Sequence, residues 1–368
     1  MRILQTLVAS VLACSAFAAS GASSSVPPAS TRASSPIAGE DVKLAWKFKE
    51  GEVLRYRIVQ DTHQTISGPS EFEVGSNVSQ VIQEKVKSVS PDGVATLECT
   101  WEAVKMHMDL PMMGDMDFDS TQAGGASSTP GPLKGFASLP GASFTMEMKP
   151  NGEVASIHGI GDAMKKVLAT DDPSAKMMKD MMERSFNDDS MKRSLETAIL
   201  PEKPVAVGGT WGRDTTFDMQ KIGKLKAHFD FTYTGMEDQG GGSCAKVGAK
   251  YEMTMSGKPD SSAFPGAEQM DIDLSMDDAS GEGTIFFSAD KGRLVRSTLM
   301  TDMDMNMSMK PKGQDKGDSG KMEMAIKVNV KSTVSLLGPD DPAFEAAPKK
   351  DAPAAKDAPP KDPKSKKG

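Results

Sequence analysis

Leu299-Met300-Thr301-Asp302-Met303-Asp304-Met305-Asn306-Met307-Ser308-Met309 is answered, across a polar loop, by Met322-Glu323-Met324-Ala325-Ile326-Lys327-Val328-Asn329-Val330. Successive side chains of a strand point to opposite faces. Met303, Met305, Met307 and Met309 therefore share one face, and Asp302, Asp304, Asn306 and Ser308 the other. The two stretches predict a long amphipathic hairpin whose second strand ends near Leu337.

The same period of two recurs outward from this hairpin. Val42 to Phe48 and Val53 to Val59 alternate around a break at Gly51, and further strands are expected from Val78 to Val89 and from Val94 to Met108. In the last of these, Ala95, Leu97, Cys99 and Trp101 share a face while Val104, Met106 and Met108 have the opposite parity, so a bulge is expected at Glu102 to Val104. Residues 110–140 read as a long crossover loop rich in Gly, Ser, Pro, Met and Asp. Phe144–Met148 and Val154–Ile157 flank an Asn151-Gly152 turn. After Trp211 the pattern resumes with Leu225, Ala227, Phe229, Phe231 and Tyr233, then Ala245 to Met255. Residues 256–281 read as an acidic, Ser-rich loop before Gly283–Phe287 and the turn at Lys291-Gly292.

Two helices are expected between the halves. Asp172 caps the first, Pro173 opens it, and Met177, Met178, Met181 and Met182 form its stripe; Asp188 or Asp189 caps the second, which buries Met191, Leu195 and Ile199 and stops at Pro201. The two β-rich halves share landmarks. Gly93 precedes Met106 and Met108 at the same spacing as Gly240 precedes Met253 and Met255, and an X-Gly turn follows in each. The predicted fold class is mainly β: two related antiparallel curved sheets, half-barrel-like, with a short helical insert at about 161–199. The first half spans 41–205 and the second 206–340.

The ends carry a different composition. Met1-Arg2, the apolar run Ile3 to Val11, and Ala16-Phe17-Ala18 predict a signal peptide cleaved after Ala18. Val11-Leu12-Ala13-Cys14 also resembles a bacterial lipobox, which gives lipid anchoring through Cys14 as an alternative. Residues 19–40 read as a Ser/Ala/Pro spacer and 341–368 as a Lys/Pro/Ala tail, both too poor in apolar residues to fold. The expected location is extracytoplasmic, in the periplasm or cell envelope, with no transmembrane helix in the mature chain. Lys349 to Lys367 supply seven cations against three Asp, so the folded body is more acidic than the formal charge of -8. Such a body excludes nucleic acid as a partner; the basic tail fits an anionic envelope or cell-wall polymer. Cys99 lies in phase with its apolar neighbours and Cys244 does not, which argues against their pairing even where disulfides are permitted.

Enzyme motifs are absent. The four histidines (His63, His107, His158, His228) are isolated, and no nucleophile elbow, zinc motif, Cys-x-x-Cys or phosphate loop occurs, so no cofactor and no catalytic residue are assigned. The anomaly is 27 Met. Three readings compete. Thioethers substitute for Leu and Ile in a core; they line an adaptable groove for a lipid or other apolar ligand; or they bind Cu(I). The groove would be formed by Met303, Met305, Met307, Met309, Met322 and Met324, joined by Met253 and Met255. The copper site would use Met106, His107, Met108, Met112 and Met113, but same-face neighbours on a strand stand ~7 Å apart and His107 faces away from both flanking methionines.

Four segments carry a resemblance: Leu44-x-Trp46-x-Phe48-x-x-Gly51 with Tyr56; Phe118-Asp119-Ser120; Pro150-x-Gly152-x-Val154-x-x-Ile157-x-Gly159; and Leu200-Pro-x-x-Pro204-Val205-x-Val207-Gly208-x-Thr210-Trp211. Together they resemble a family of exported bacterial β-rich proteins of unknown function, found in planctomycete-like and Bacteroidetes-like genomes. The chain departs from that pattern at Gly209 and in its excess of Met. The resemblance implies an all-β exported body and brings no ligand or catalytic residue with it. The expected function is a non-enzymatic envelope protein binding an apolar ligand or partner on a Met-lined curved sheet; a scaffold without ligand and a periplasmic Cu(I) protein are the alternatives.

Overall fold

A computed structural model describes residues 41–110, 114–122, 136–167, 200–218, 222–239, 242–256, 259–261, 269–312 and 321–344. The expected signal peptide, the spacer, both expected helices of the insert and nearly all of the basic tail lie outside these residues. Twelve strands form in chain order: β1 Val53–Ser67, β2 Glu71–Val89, β3 Ala95–Leu110, β4 Gly114–Asp119, β5 Ser143–Met148, β6 Val154–His158, β7 Thr210–Asp218, β8 Lys224–Asp238, β9 Ser243–Ser256, β10 Met270–Ser288, β11 Arg293–Pro311 and β12 Met322–Leu337. One short helix, α1 (Ile160–Val167), follows β6.

All twelve strands belong to one antiparallel sheet, in the order β6-β5-β3-β2-β1-β12-β11-β10-β9-β8-β7 with β4 paired to β3. The halves expected as two sheets are thus the flanks of one, joined where β1 pairs with β12 from Arg55↔Leu337 to Ser67↔Ala325. Both halves step along the sheet in the same direction, and Gly152 and Gly292 close corresponding turns with positive φ.

The sheet is rolled. The N-H of Trp46 donates to Pro150 O in the β5–β6 turn, that of Lys47 to Gly292 O in the β10–β11 turn, and Val42 exchanges two hydrogen bonds with Val205 just before β7. In a flat sheet β5 and β7 would stand nine strand intervals apart, ~43 Å at ~4.8 Å each. Val42 and Trp46 are four residues apart and span at most ~14 Å. The two edges must therefore curl toward each other. The sheet stays open, because β6 and β7 do not pair.

Three expectations are corrected. Val42 to Phe48 alternates but makes only the Val42↔Val205 bridge: it crosses the strand ends instead of joining the sheet, and buries Leu44 and Trp46 there. Within the expected loop 110–140, β4 forms because Met116 and Phe118 alternate onto the apolar face beside Met108 and Met106. Within the expected loop 256–281, Ile272, Leu274 and Met276 alternate along β10, each in register with a methionine of β11. In both places Asp and Ser on the opposite face lowered the mean hydropathy of a genuine strand. The bulge near Glu102 is present: Val81 pairs with Ala103 and Ile82 with Trp101, so Glu102 has no partner in the ladder.

One face of the sheet holds a continuous core running from Leu44, Trp46 and Tyr56 through Trp101, Phe144, Phe229 and Phe287 to Val328 and Met303. At the tight-turn end, Trp46 stacks on Phe48 and meets Phe287 edge-on at 5.4 Å. This end is closed. The hairpins β1–β2 and β11–β12, with the far ends of β10 and β11, extend toward the other.

Candidate functional site

The inner face of β10–β11–β12 is ordered in rows. Register places Ala279, Met303 and Val328 side by side, then Met276, Met305 and Ile326, then Leu274, Met307 and Met324, and last Ile272, Met309 and Met322. Ile66 of β1 and Phe72 of β2 extend the second row, opposite Ile326. Exposure rises along these rows. Met303 is 1% exposed and Val328 0%; Met305, Met307, Met309 and Met324 are half-buried; Met322 is 43% exposed. The thioethers are core at the base and open surface at the tip.

Six of the eight residues expected to line a groove are thus brought together: Met303, Met305, Met307, Met309, Met322 and Met324. Met253 and Met255 lie on another branch. Pairing between β9 and β10 ends at Glu252↔Ser280, and beyond that point β9 pairs only with β8, where Met253 (4% exposed) and Met255 face Ala227 and Leu225. The contribution of β10 was missed in the sequence, although Ile272-x-Leu274-x-Met276 carried the signal.

The floor below the open rows is fixed by Tyr251. Its hydroxyl bonds the Thr301 hydroxyl and reaches Met300 O at 3.4 Å, and it crosses Gly281, where any Cβ would overlap the Tyr251 ring and the Met300 carbonyl. Burial pushes the Tyr251 phenol well above its ordinary range, so it stays neutral and acts as a packing and hydrogen-bonding group. The outward side of the same strands is polar. Asn329 donates to Asp302, and Lys327 lies 3.7 Å from Asp304.

The alternative copper residues separate as the alternation requires. Met106 (7% exposed) pairs with Val78 and Phe118, Met108 pairs with Met116, and these side chains pack on the core face. His107 points outward and its Nδ1 lies 2.9 Å from Asp117 Oδ1. Met112 and Met113 lie outside the described residues. Among the described residues no three His, Cys, Asp or Glu side chains are arranged to hold a metal. Cys99 and Cys244 are both buried and are not joined by a disulfide.

An open, rolled antiparallel sheet that keeps its apolar side chains inside and, Glu84 apart, turns its charges outward defines a β-rich protein of half-barrel type. The chain belongs to a family of unknown function (DUF6263), whose model matches residues 92–292 and stops short of the Leu44–Gly51 segment. No curated protein matches it. Among solved structures it is similar to lipovitellin, described for its lipid–protein interactions, at 11% identity over 82% of this chain and 27% of that one, with a TM-score of 0.38. The chain thus spans about a quarter of the length of that structure. DynF of the dynemicin pathway of Micromonospora chersina follows at 9% identity, covering 86% of this chain and 95% of that one, TM-score 0.18. The outer membrane protein OprG of Pseudomonas aeruginosa matches at 8%, covering 79% and 98%, TM-score 0.18. Likenesses this weak carry no argument. Among the described residues no helix is long and apolar enough to cross a membrane. The outward positions Arg55, Arg57, Asp61, Asp302, Asp304, Lys327 and Lys331 are the reverse of the apolar belt that a membrane-spanning barrel presents to lipid.

Proposed function

We propose that this is an exported, non-enzymatic envelope protein that holds an apolar ligand, such as an acyl chain, on the open end of its Met-lined inner face. The observation that carries the reading is the gradient from Met303 at 1% exposure to Met322 at 43% along one continuous apolar face. A pure core would close over these rows, whereas flexible thioethers at a half-open surface repack around varied apolar shapes. Export is supported by the signal-like first 18 residues and the spacer to residue 40. The resemblance to exported bacterial families points the same way.

Native mass spectrometry of the protein purified from its own envelope tests this. Co-purified lipid is expected, and replacing Met307 and Met324 together by Asp should strip it while the fold survives. A clean apo mass in the unaltered protein would sink the ligand reading in favour of a scaffold. Fractionation tests location: the chain should appear outside the cytoplasm, and retention inside contradicts export.

A further inference from the structure

On the outer face the chain is tied down after its last strand. β12 ends at Leu337, beside Arg55 of β1, and the residues that follow double back over that strand. Arg55 Nη1 donates to Gly338 O at 3.1 Å, Pro339 O at 3.1 Å and Asp341 O at 3.0 Å, while its Nε and Nη2 donate to the Glu102 carboxylate. Arg57 takes over two positions further along β1: its Nε donates to Ala343 O at 2.8 Å and its Nη2 to Pro342 O at 2.7 Å. Bonds from a guanidinium are among the stronger polar contacts, so residues 338–343 form a strap. In the row of Arg57, outward-facing Val81 and Ala103 are buried, and Ala343 and Phe344 are half-buried.

The order of these contacts gives the strap a direction. Residues 338–341 meet Arg55 and residues 342–343 meet Arg57, so the chain leaves the closed end and runs along β1 toward the open one. The face beside its path is acidic. From the row of Ser79, Lys105 and Asp119 to the open end, the outward positions of β2, β3 and β4 carry Glu71, Glu73, Asp109, Asp115, Asp117 and Asp119. Against them stand Lys105, 3.8 Å from Asp119, and His107, 2.9 Å from Asp117. The flank on the other side of β1 is balanced: Lys331 is in register with Asp61, and Lys327 lies 3.7 Å from Asp304.

Beyond Phe344 the sequence changes sign, with seven lysines between Lys349 and Lys367 against three Asp. The lengths match. The row of Asp117 lies four residues beyond Arg57 along β1, ~13 Å, and that of Glu73 eight residues beyond, ~27 Å. Lys349 and Lys356 follow Ala343 by six and thirteen residues, spans of up to ~20 and ~43 Å.

We propose that the outward face of β2, β3 and β4 is the docking surface for this chain's own basic tail, residues 349–367. The strap delivers the tail to the edge of that face, and the tether holds its lysines at an effective concentration on the order of millimolar. Each exposed ion pair adds little and is screened by salt, so docking depends on the set of carboxylates and weakens as salt rises. A docked tail withholds its lysines from an anionic polymer, which must compete with this face to recruit them. None of this requires a ligand on the inner face.

Carbodiimide coupling tests it, because it joins a lysine amine to a carboxylate in contact with it, with loss of water, and mass spectrometry maps the joined peptides. In the full chain at low ionic strength, Lys349, Lys350 and Lys356 should couple to Glu73, Asp109, Asp115 and Asp117 at least about fivefold more than to Asp271, Asp273 and Asp302 of the other flank, with a yield indifferent to dilution. Asp109→Asn, Asp115→Asn and Asp117→Asn together should remove most of that coupling while circular dichroism stays unchanged, and about 0.5 M NaCl should do the same to the unaltered protein. No coupling, coupling spread evenly over both flanks, a yield that falls on dilution, or coupling that survives either the substitutions or the salt overturns the docking surface.

Discussion

At the scale of single residues, position along a strand decides what a methionine does. Met303 is enclosed between Ala279 and Val328, while Met307, four residues on, is half-buried with the same chemistry and the same facing. Met303→Ala should cost about 2–5 kcal/mol, as for other buried large-to-small changes. Met307→Ala should stay below about 1 kcal/mol, because little of its surroundings would collapse or empty. Urea unfolding of the two variants compares them directly, and equal losses would mean that the tip is as closed as the base. A charge effect belongs at this scale as well. The Nδ1–H of His228 on the outer face donates to the Asp214 carboxylate at 2.7 Å, its Nε2 lies 3.4 Å from Asp230, and the Asp214 contact, aided by Asp230, raises its pKa above the ordinary histidine value. The stabilisation from a raised histidine is complete below its unfolded pKa of about 6.5 and is lost as pH rises through the higher folded value. An NMR titration should place the His228 midpoint above 6.5, and Asp214→Asn should lower it; a midpoint indifferent to Asp214 refutes the pairing.

At the scale of elements, the segment Val42 to Phe48 does work that its alternating pattern disguised. Leu44 and Trp46 face the core like strand residues, yet the segment's backbone bonds, from Val42, Trp46 and Lys47, go to Val205 and to two separate turns and gather the sheet edges. Trp46→Ala should cost about 3–5 kcal/mol. Trp46→Phe should cost much less: it keeps most of the contact with Phe48 and Phe287, and the indole Nε1 it removes is buried without a hydrogen bond among the described residues. Similar losses in both thermal melts would argue that the ring does not seal that end. This segment marks the boundary of what the sequence discloses. A period of two reveals which residues face inward, and it located β5, β6, β8, β9, β11 and β12 and the bulge at Glu102. Alternation cannot tell a ladder partner from a strap, since both bury every second side chain. Nor could average composition find β4 and the first part of β10, where outward Asp and Ser residues masked the apolar members of each pair.

At the scale of the molecule, the sequence predicted related β-rich halves and an inner methionine face. It did not disclose that β1 and β12, some 270 residues apart in sequence, fuse the halves into one sheet. Such pairing is set by matching of apolar rows between distant strands, which no local pattern records. Of the candidate site, the β11–β12 residues were legible, whereas Met253 and Met255 were assigned to it by parity alone and belong to the branch with β8. The closed end also gathers the ends of the described chain: Val42 bonds Val205 there, and Arg57, near the start of β1, holds Pro342 O and Ala343 O. The extended hairpins lie at the opposite end.

The claim that these rows are a ligand surface is tested most directly by the methionines themselves, because peroxide converts an accessible thioether to the sulfoxide and spares a buried one. Among the inner rows, mass-spectrometric footprinting of the free protein should show Met322 oxidised first, Met305, Met307, Met309 and Met324 more slowly, and Met303 last. Saturation with monooleoylglycerol should then protect Met305, Met307, Met309 and Met324 while Met300 and Met236, which are 54% and 50% exposed and lie outside these rows, keep their rates. Unchanged oxidation across the inner rows, or protection spread equally over Met300 and Met236, would contradict it.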